Sequence, residues 1–136
     1  MGKLVLQLSS QSLKVREMSV AILAALTGDS KTNVAALAKK GGVQQMIALL
    51  NSNNAAAHVH AAAVLADLST DCQATHDSIV EEGAIAPLVD ILSNSADSAA
   101  RAEAAGALGR LCDGYPETTT TIVQTGAIAS LVKLLE

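Results

Sequence analysis

The chain has 136 residues, of which 50% are hydrophobic and 16% are charged, and its formal net charge is −4. The negative charge, one tyrosine and the lack of phenylalanine and tryptophan argue against a nucleic-acid-binding protein, which needs a basic face and usually aromatic stacking platforms. No apolar run is long enough to predict a membrane span.

One ten-residue sequence motif occurs three times along the chain. It reads GGVQQMIALL from Gly41, GAIAPLVDIL from Gly83 and GAIASLVKLL from Gly126. The first two copies start 42 residues apart, and the last two start 43 apart. Other apolar positions keep the same period, including Leu23, Leu65 and Leu108, and also Leu26, Leu68 and Leu111. Apolar positions that recur with a period in this range are typical of a solenoid.

Alanine and leucine, both strong helix formers, supply much of the apolar content, so each repeat is predicted to be helical. The chain is expected to begin inside the second helix of a repeat, from Lys3 to Leu8. The helices that follow are predicted in chain order at 12–27, 31–39, 42–51, 55–69, 74–82, 84–94, 97–112, 117–125 and 127–135. Pro116 suits the first turn of the helix predicted at 117–125. Each full repeat therefore contains a short first helix, a second helix and a longer third helix.

Three helices per repeat, with a glycine between the first two, closely resemble the armadillo repeat. GAIAPLVDIL and GAIASLVKLL match the second helix of that family, and EAAGALGRLC and AAAVLADLS match its third helix. A HEAT solenoid is the alternative, but it lacks the short first helix and the Gly-Ala-Ile start of the second. The resemblance covers essentially the whole chain and implies an all-α, right-handed superhelix whose third helices line a concave groove. We expect one domain, 1–136, with a partial repeat (1–30), two repeats (31–72 and 73–115) and a partial repeat (116–136).

The resemblance also implies a binding surface on the third helices. In family members that bind extended peptides, such as importin-α, the third helix carries an Asn just before its last Leu or Ile, and importin-α adds a Trp one turn earlier. The Asn positions here hold Ala25, Asp67 and Arg110, and the Trp positions hold Ala21, Ala63 and Gly106. Neither side-chain ladder is present, which disfavours a nuclear-localisation receptor of the importin-α type.

The groove is instead expected to have a shallow floor of alanine and glycine with a few charges. The candidate partner-binding residues, for a protein or peptide ligand, are Ala25, His60, Ala63, Asp67, Glu103, Gly106 and Arg110. Two interpretations of Asp67 and Arg110 stay open. They give the groove its specificity, or they form an ion pair between neighbouring repeats; the two roles are compatible.

The two partial repeats expose apolar side chains that a further helix would cover. These are Leu4, Val5 and Leu8 in the first partial repeat and Leu131, Val132 and Leu135 in the last. Leaving each one in water forfeits roughly 1.5–3 kcal/mol of burial free energy. The chain is therefore expected to be a segment of a larger armadillo protein, or a building block, natural or engineered, that forms a homo-oligomer through these ends. The two alternatives are compatible, because a segment of a larger protein can also self-associate through its ends.

No residue pattern predicts catalysis, a cofactor or a metal site. The positions of Glu81 and Glu82 hold Lys39 and Lys40 one repeat earlier, which is typical of a solvated helix end. His58 and His60 are two residues apart and so point to different faces of a helix. We expect these histidines, and His76, to lie on the surface or in the groove. Two separated cysteines, Cys72 (exposed) and Cys112 (packed), predict free thiols and a cytoplasmic or nuclear location.

Overall fold

The structure is a computed structural model that describes residues 2–8 and 12–135, without the side chains of Leu4, Val5, Leu8, Leu13 and Leu134. Ten α-helices and no strands occur in these two ranges. The helices are α1 (Gly2–Leu8), α2 (Leu13–Gly28), α3 (Lys31–Lys39), α4 (Gly42–Leu50), α5 (Ala55–Leu68), α6 (Gln73–Glu81), α7 (Ile85–Asn94), α8 (Ser98–Cys112), α9 (Pro116–Gln124) and α10 (Ala127–Leu134). Every helix predicted from the sequence is present, and each boundary lies within one residue of its prediction.

The three long third helices, α2, α5 and α8, begin at equivalent capping residues. The side chain of Ser12 accepts a hydrogen bond from the amide of Val15, and Asn54 and Asp97 accept from the amides three residues further on, at 2.9 and 3.0 Å. Such caps satisfy amides that have no partner within the helix. The caps explain why α2 and α8 begin one residue later than predicted, and they start all three helices in the same register.

A glycine in the left-handed conformation separates the first and second helices of each repeat. Gly41, Gly83 and Gly126 have φ angles of 78°, 87° and 93°. At Gly83 the backbone amide donates to the carbonyl of Val80, 3.1 Å away, which closes the last turn of α6. Residues with a Cβ adopt this conformation only at a cost. The repeated glycine therefore fixes the direction in which the second helix leaves the first.

The core runs through a stack of third helices, with α5 packed between α2 and α8. Each second helix covers the third helix of its own repeat, so that α4 packs on α5 and α7 on α8. Leu23, Leu65 and Leu108 occupy equivalent positions in the stack and are at most 3% exposed. Alanines at 57, 61, 100 and 104 are fully buried, and their small side chains let neighbouring helices approach closely.

Two glycine substitutions are predicted to change stability in opposite directions. An added Cβ would have no heavy atom within 4 Å at Gly83 or at Gly109, so only the backbone conformation decides the effect. Gly83→Ala places alanine at positive φ and should lower the free energy of unfolding by about 1–2 kcal/mol. Gly109→Ala lies inside α8 and should raise it by up to about 1 kcal/mol. Urea unfolding of the two variants and the parent chain measures both effects, and a stabilised Gly83→Ala would contradict this account of the turn.

Candidate functional site

The predicted groove residues lie on the stacked third helices, at positions open to solvent or half-buried. The set comprises Ala25 on α2, His60, Ala63 and Asp67 on α5, and Glu103, Gly106 and Arg110 on α8. Gly106 has no heavy atom within 4 Å of where a Cβ would lie. Small residues therefore leave the middle of this surface free of bulky side chains. Asp67 and Arg110 lie near the C-terminal ends of α5 and α8, and Glu103 lies about one turn before Gly106.

Asp67 links three neighbouring third helices. Its Oδ1 accepts a hydrogen bond from Nη1 of Arg110 on α8 at 3.1 Å, and its Oδ2 accepts one from Oγ1 of Thr27 on α2 at 3.2 Å. The Thr27 hydroxyl is buried, and it lies 2.9 Å from the carbonyl of Leu23. The ion pair considered from the sequence is thus present. The part played by Thr27 was not predicted, because it lies outside the Asp67 and Arg110 column.

The two partners of this ion pair differ in accessibility. The side chain of Arg110 is 52% exposed and that of Asp67 is 19% exposed. A pair this open to water contributes about 0–1 kcal/mol to stability. The pair therefore does little to hold the fold together, and Arg110 is the partner that a ligand can reach directly.

A polar cavity of about 280 Å³ lies beside Arg110, where α5 and α8 end. The described residues that line it are Ser69, Thr70, Cys72, Gln73, Arg110, Asp113 and Tyr115. The lining offers hydroxyl, amide and charged groups of both signs. These groups can form hydrogen bonds with a polar ligand.

His76 is buried, so its predicted place on the surface or in the groove is wrong. Only 2% of the residue is exposed. Nε2 donates to the carbonyl of Leu111 at 3.0 Å, and the imidazole stacks on the ring of Tyr115 with 3.5 Å between centroids. His76 thus joins α6 to the end of α8 in the same repeat. The sequence did not reveal this contact, because both partners lie at least 35 residues away along the chain.

The other candidates for chemistry lie apart. His58 and His60 are half-buried on α5, and the Nε2 atom of His58 contacts the carbonyl of Ser52. Within the described ranges, no three His, Cys, Asp or Glu side chains are close enough together to hold a metal ion. Glu81 and Glu82 are exposed. Cys72 is exposed and Cys112 is half-buried, and both are free thiols.

The residues predicted for self-association are only partly described. The side chains of Leu4, Val5 and Leu8 lie outside the described part of the structure. Leu131, Val132 and Leu135 are 40%, 53% and 88% exposed. Within the described residues, no helix combines the length and apolarity needed to span a membrane.

Three-helix units stacked through their third helices define the class of this protein as an α-solenoid. Residues 77–113, which include α7 and α8, match the family described as the armadillo/beta-catenin-like repeat. Comparison with curated protein sequences gives no significant match.

Solved structures agree with this family. Computationally designed armadillo repeat proteins for modular peptide recognition match 99% of this chain and 56% of their own, with 25% identity and a TM-score of 0.89. A designed armadillo repeat protein in complex with the peptide (KR)4 aligns with 99% of this chain over 56% of its own length, with 23% identity and a TM-score of 0.87. The armadillo repeats only protein from Plasmodium falciparum aligns with 99% of this chain over 62% of its own length, with 21% identity and a TM-score of 0.85.

The last two structures are 23% and 21% identical to this chain, so they show only that the fold is shared. The chain spans little more than half the length of the designed proteins it matches. It has the armadillo-repeat fold, and residues 77–113 match the family of that repeat.

Proposed function

We propose that this chain is a non-catalytic protein-interaction module that binds a peptide or a helix along α2, α5 and α8, as a segment of a larger armadillo protein in the cytoplasm or nucleus. The observation that carries the proposal is the surface formed by Ala63 and Gly106 beside the Asp67–Arg110 pair. Small residues allow a ligand backbone to approach the helices closely, and the nearby charges supply polar contacts. The designed relatives made for modular peptide recognition support this use of the surface.

The charge of the surface favours a basic peptide. Asp67 and Glu103 lie on it, Asp113 lines the adjoining cavity, and Arg110 pairs with Asp67 and lines the same cavity. The chain as a whole has a net charge of −4, which attracts a cationic ligand at a distance. The peptide (KR)4, bound by a designed relative, is therefore a suitable first probe.

Removing one groove carboxylate should weaken binding of (KR)4. In Asp67→Ala the peptide loses an anion that is 19% exposed, and we expect the dissociation constant to rise about fivefold or more, or roughly 1 kcal/mol. Arg110→Ala should have the opposite effect, because it removes a competing cation from Asp67. Fluorescence titration of labelled (KR)4 at fixed ionic strength measures both changes.

Glu81→Ala is the matched control, since it removes the same charge from an exposed position on α6. It changes the net charge equally but leaves the groove intact, so its effect should be small and should disappear as salt is added. Equal losses in Asp67→Ala and Glu81→Ala would reduce the interaction to attraction by net charge and would contradict the placement in the groove.

A second candidate function is that of a self-assembling structural building block. Val15, Met18, Ile22 and Leu26 form a stripe on α2 that is 37–57% exposed. The positions equivalent to Val15, Ile22 and Leu26 are buried on α5 and α8, where the third helix of the preceding repeat lies alongside. An apolar surface also faces solvent on α10, at Ile128, Leu131 and Val132. Two copies that join these surfaces bury apolar area from both.

Charges placed on either surface should prevent such assembly. Ile22→Lys and Leu131→Glu should each raise the dissociation constant for self-association at least about tenfold, since the contact would bury an unpaired charge. Ala48→Glu, at an exposed position on α4, is the control. Light scattering after size-exclusion chromatography reports the mass over a range of concentrations. A parent chain that stays monomeric throughout would rule out this candidate.

A further inference from the structure

A cavity of about 360 Å³ lies between the α7–α8 turn and α10, and none of its described lining residues belongs to the groove set. The described residues that line it are Leu92, Ser93, Ser95, Arg101, Ser130 and Lys133. Two of these carry positive charge, three carry hydroxyl groups and none is a carboxylate. Among the described residues, neither Arg101 nor Lys133 forms an ion pair. Its lining, as far as residues 12–135 show it, thus combines cations and hydroxyls without a carboxylate.

Arg101 is held in place at this cavity. Its Nη1 donates to the carbonyl of Ser95 at 2.6 Å, and the side chain is half-buried. A guanidinium group has five N–H donors, so most remain available for a ligand. A fixed guanidinium loses little freedom on binding, and its planar fork matches the oxygens of a phosphate. Asp97, the nearest acidic residue before Arg101 in the sequence, caps α8 through the amide of Ala100 and is not among the lining residues.

The preceding repeat provides an internal comparison. An equivalent cavity of about 280 Å³ is lined there by Asn53, Ala55, His58, Asp90, Ile91, Asn94 and Ser95. His58 lies 43 residues before Arg101 and contacts the equivalent turn carbonyl, that of Ser52. Asp90 lies 43 residues before Lys133. The fold therefore forms this kind of cavity even where the next third helix is present, and the two basic residues are particular to the second one.

We propose that the cavity lined by Arg101 and Lys133 binds a phosphate group. Arg101 supplies directed N–H donors and Lys133 supplies a mobile positive charge. The Ser95 hydroxyl, which accepts from the amide of Asp97, keeps its proton for a phosphate oxygen, whereas Ser93 donates to the carbonyl of Val89 and is hydrogen-bonded to Ser130. The group is carried on a phosphorylated serine or threonine side chain or is a free phosphate ion. This site is separate from the proposed peptide groove, so each can fail without the other.

Titration of the ¹⁵N-labelled chain with inorganic phosphate, at constant ionic strength, tests the proposal. We expect saturable shifts of the backbone amides in 93–101 and 130–133. A short acetylated glycine peptide with one phosphoserine, and its unphosphorylated form, are titrated in parallel. Tighter binding of the phosphopeptide than of inorganic phosphate would assign the group to a partner protein, and equal binding would assign it to the free ion. Either result supports the site.

The two repeats supply the variants. Lys133→Asp installs the residue of the preceding repeat and leaves the bond of Arg101 to Ser95 intact, and it should weaken phosphate binding at least about tenfold. Lys133→Gln removes the charge alone and should weaken binding in the same direction. The reciprocal variant, His58→Arg with Asp90→Lys, should gain shifts around the first cavity. An unchanged dissociation constant in Lys133→Asp, or saturable shifts confined to other regions, would overturn the proposal.

Discussion

Stacking of the third helices is the interaction on which the rest of the structure depends. Buried alanines such as Ala61 and Ala104 allow α2, α5 and α8 to approach one another, and Leu65 and Leu108 fill the space between them. Because each helix contacts only its neighbours, one set of contacts is repeated along the chain. The spacing that results brings the Asp67 carboxylate within 3.1 Å of Arg110, although the residues are 43 apart in sequence. The surface with its charges is thus a consequence of the packing beneath it.

The polar contacts divide into those that set the geometry of a repeat and those that distinguish one repeat from another. Caps at Asn54 and Asp97 and the glycines at 83 and 126 recur with the period, and they fix where helices start and turn. In contrast, the stack of His76 on Tyr115 occurs within a single repeat. Differences at equivalent positions are where individual repeats can acquire binding properties of their own.

Most of the fold could be predicted from the sequence because the same pattern of glycine and apolar residues repeats along the chain. The repeated glycine and the leucine columns located the helices within one residue at each boundary. The buried environment of His76 could not be predicted, since it depends on a carbonyl at the end of α8 and on the Tyr115 ring just beyond that helix. Thr27 was missed for a related reason: its bond to Asp67 crosses between repeats at positions that are not equivalent. Periodicity identifies what repeats, whereas these contacts occur once.

Amide hydrogen exchange would test the central claim, that stability comes from the stacking of neighbouring third helices, most directly. Because α5 is packed between α2 and α8, its amides should exchange slowest of all, and those of α10 should exchange roughly a hundredfold faster or more. Protection should decrease from α5 toward both ends of the stack. Amides in α10 that exchange as slowly as those in α5, or uniform protection along the chain, would contradict the account.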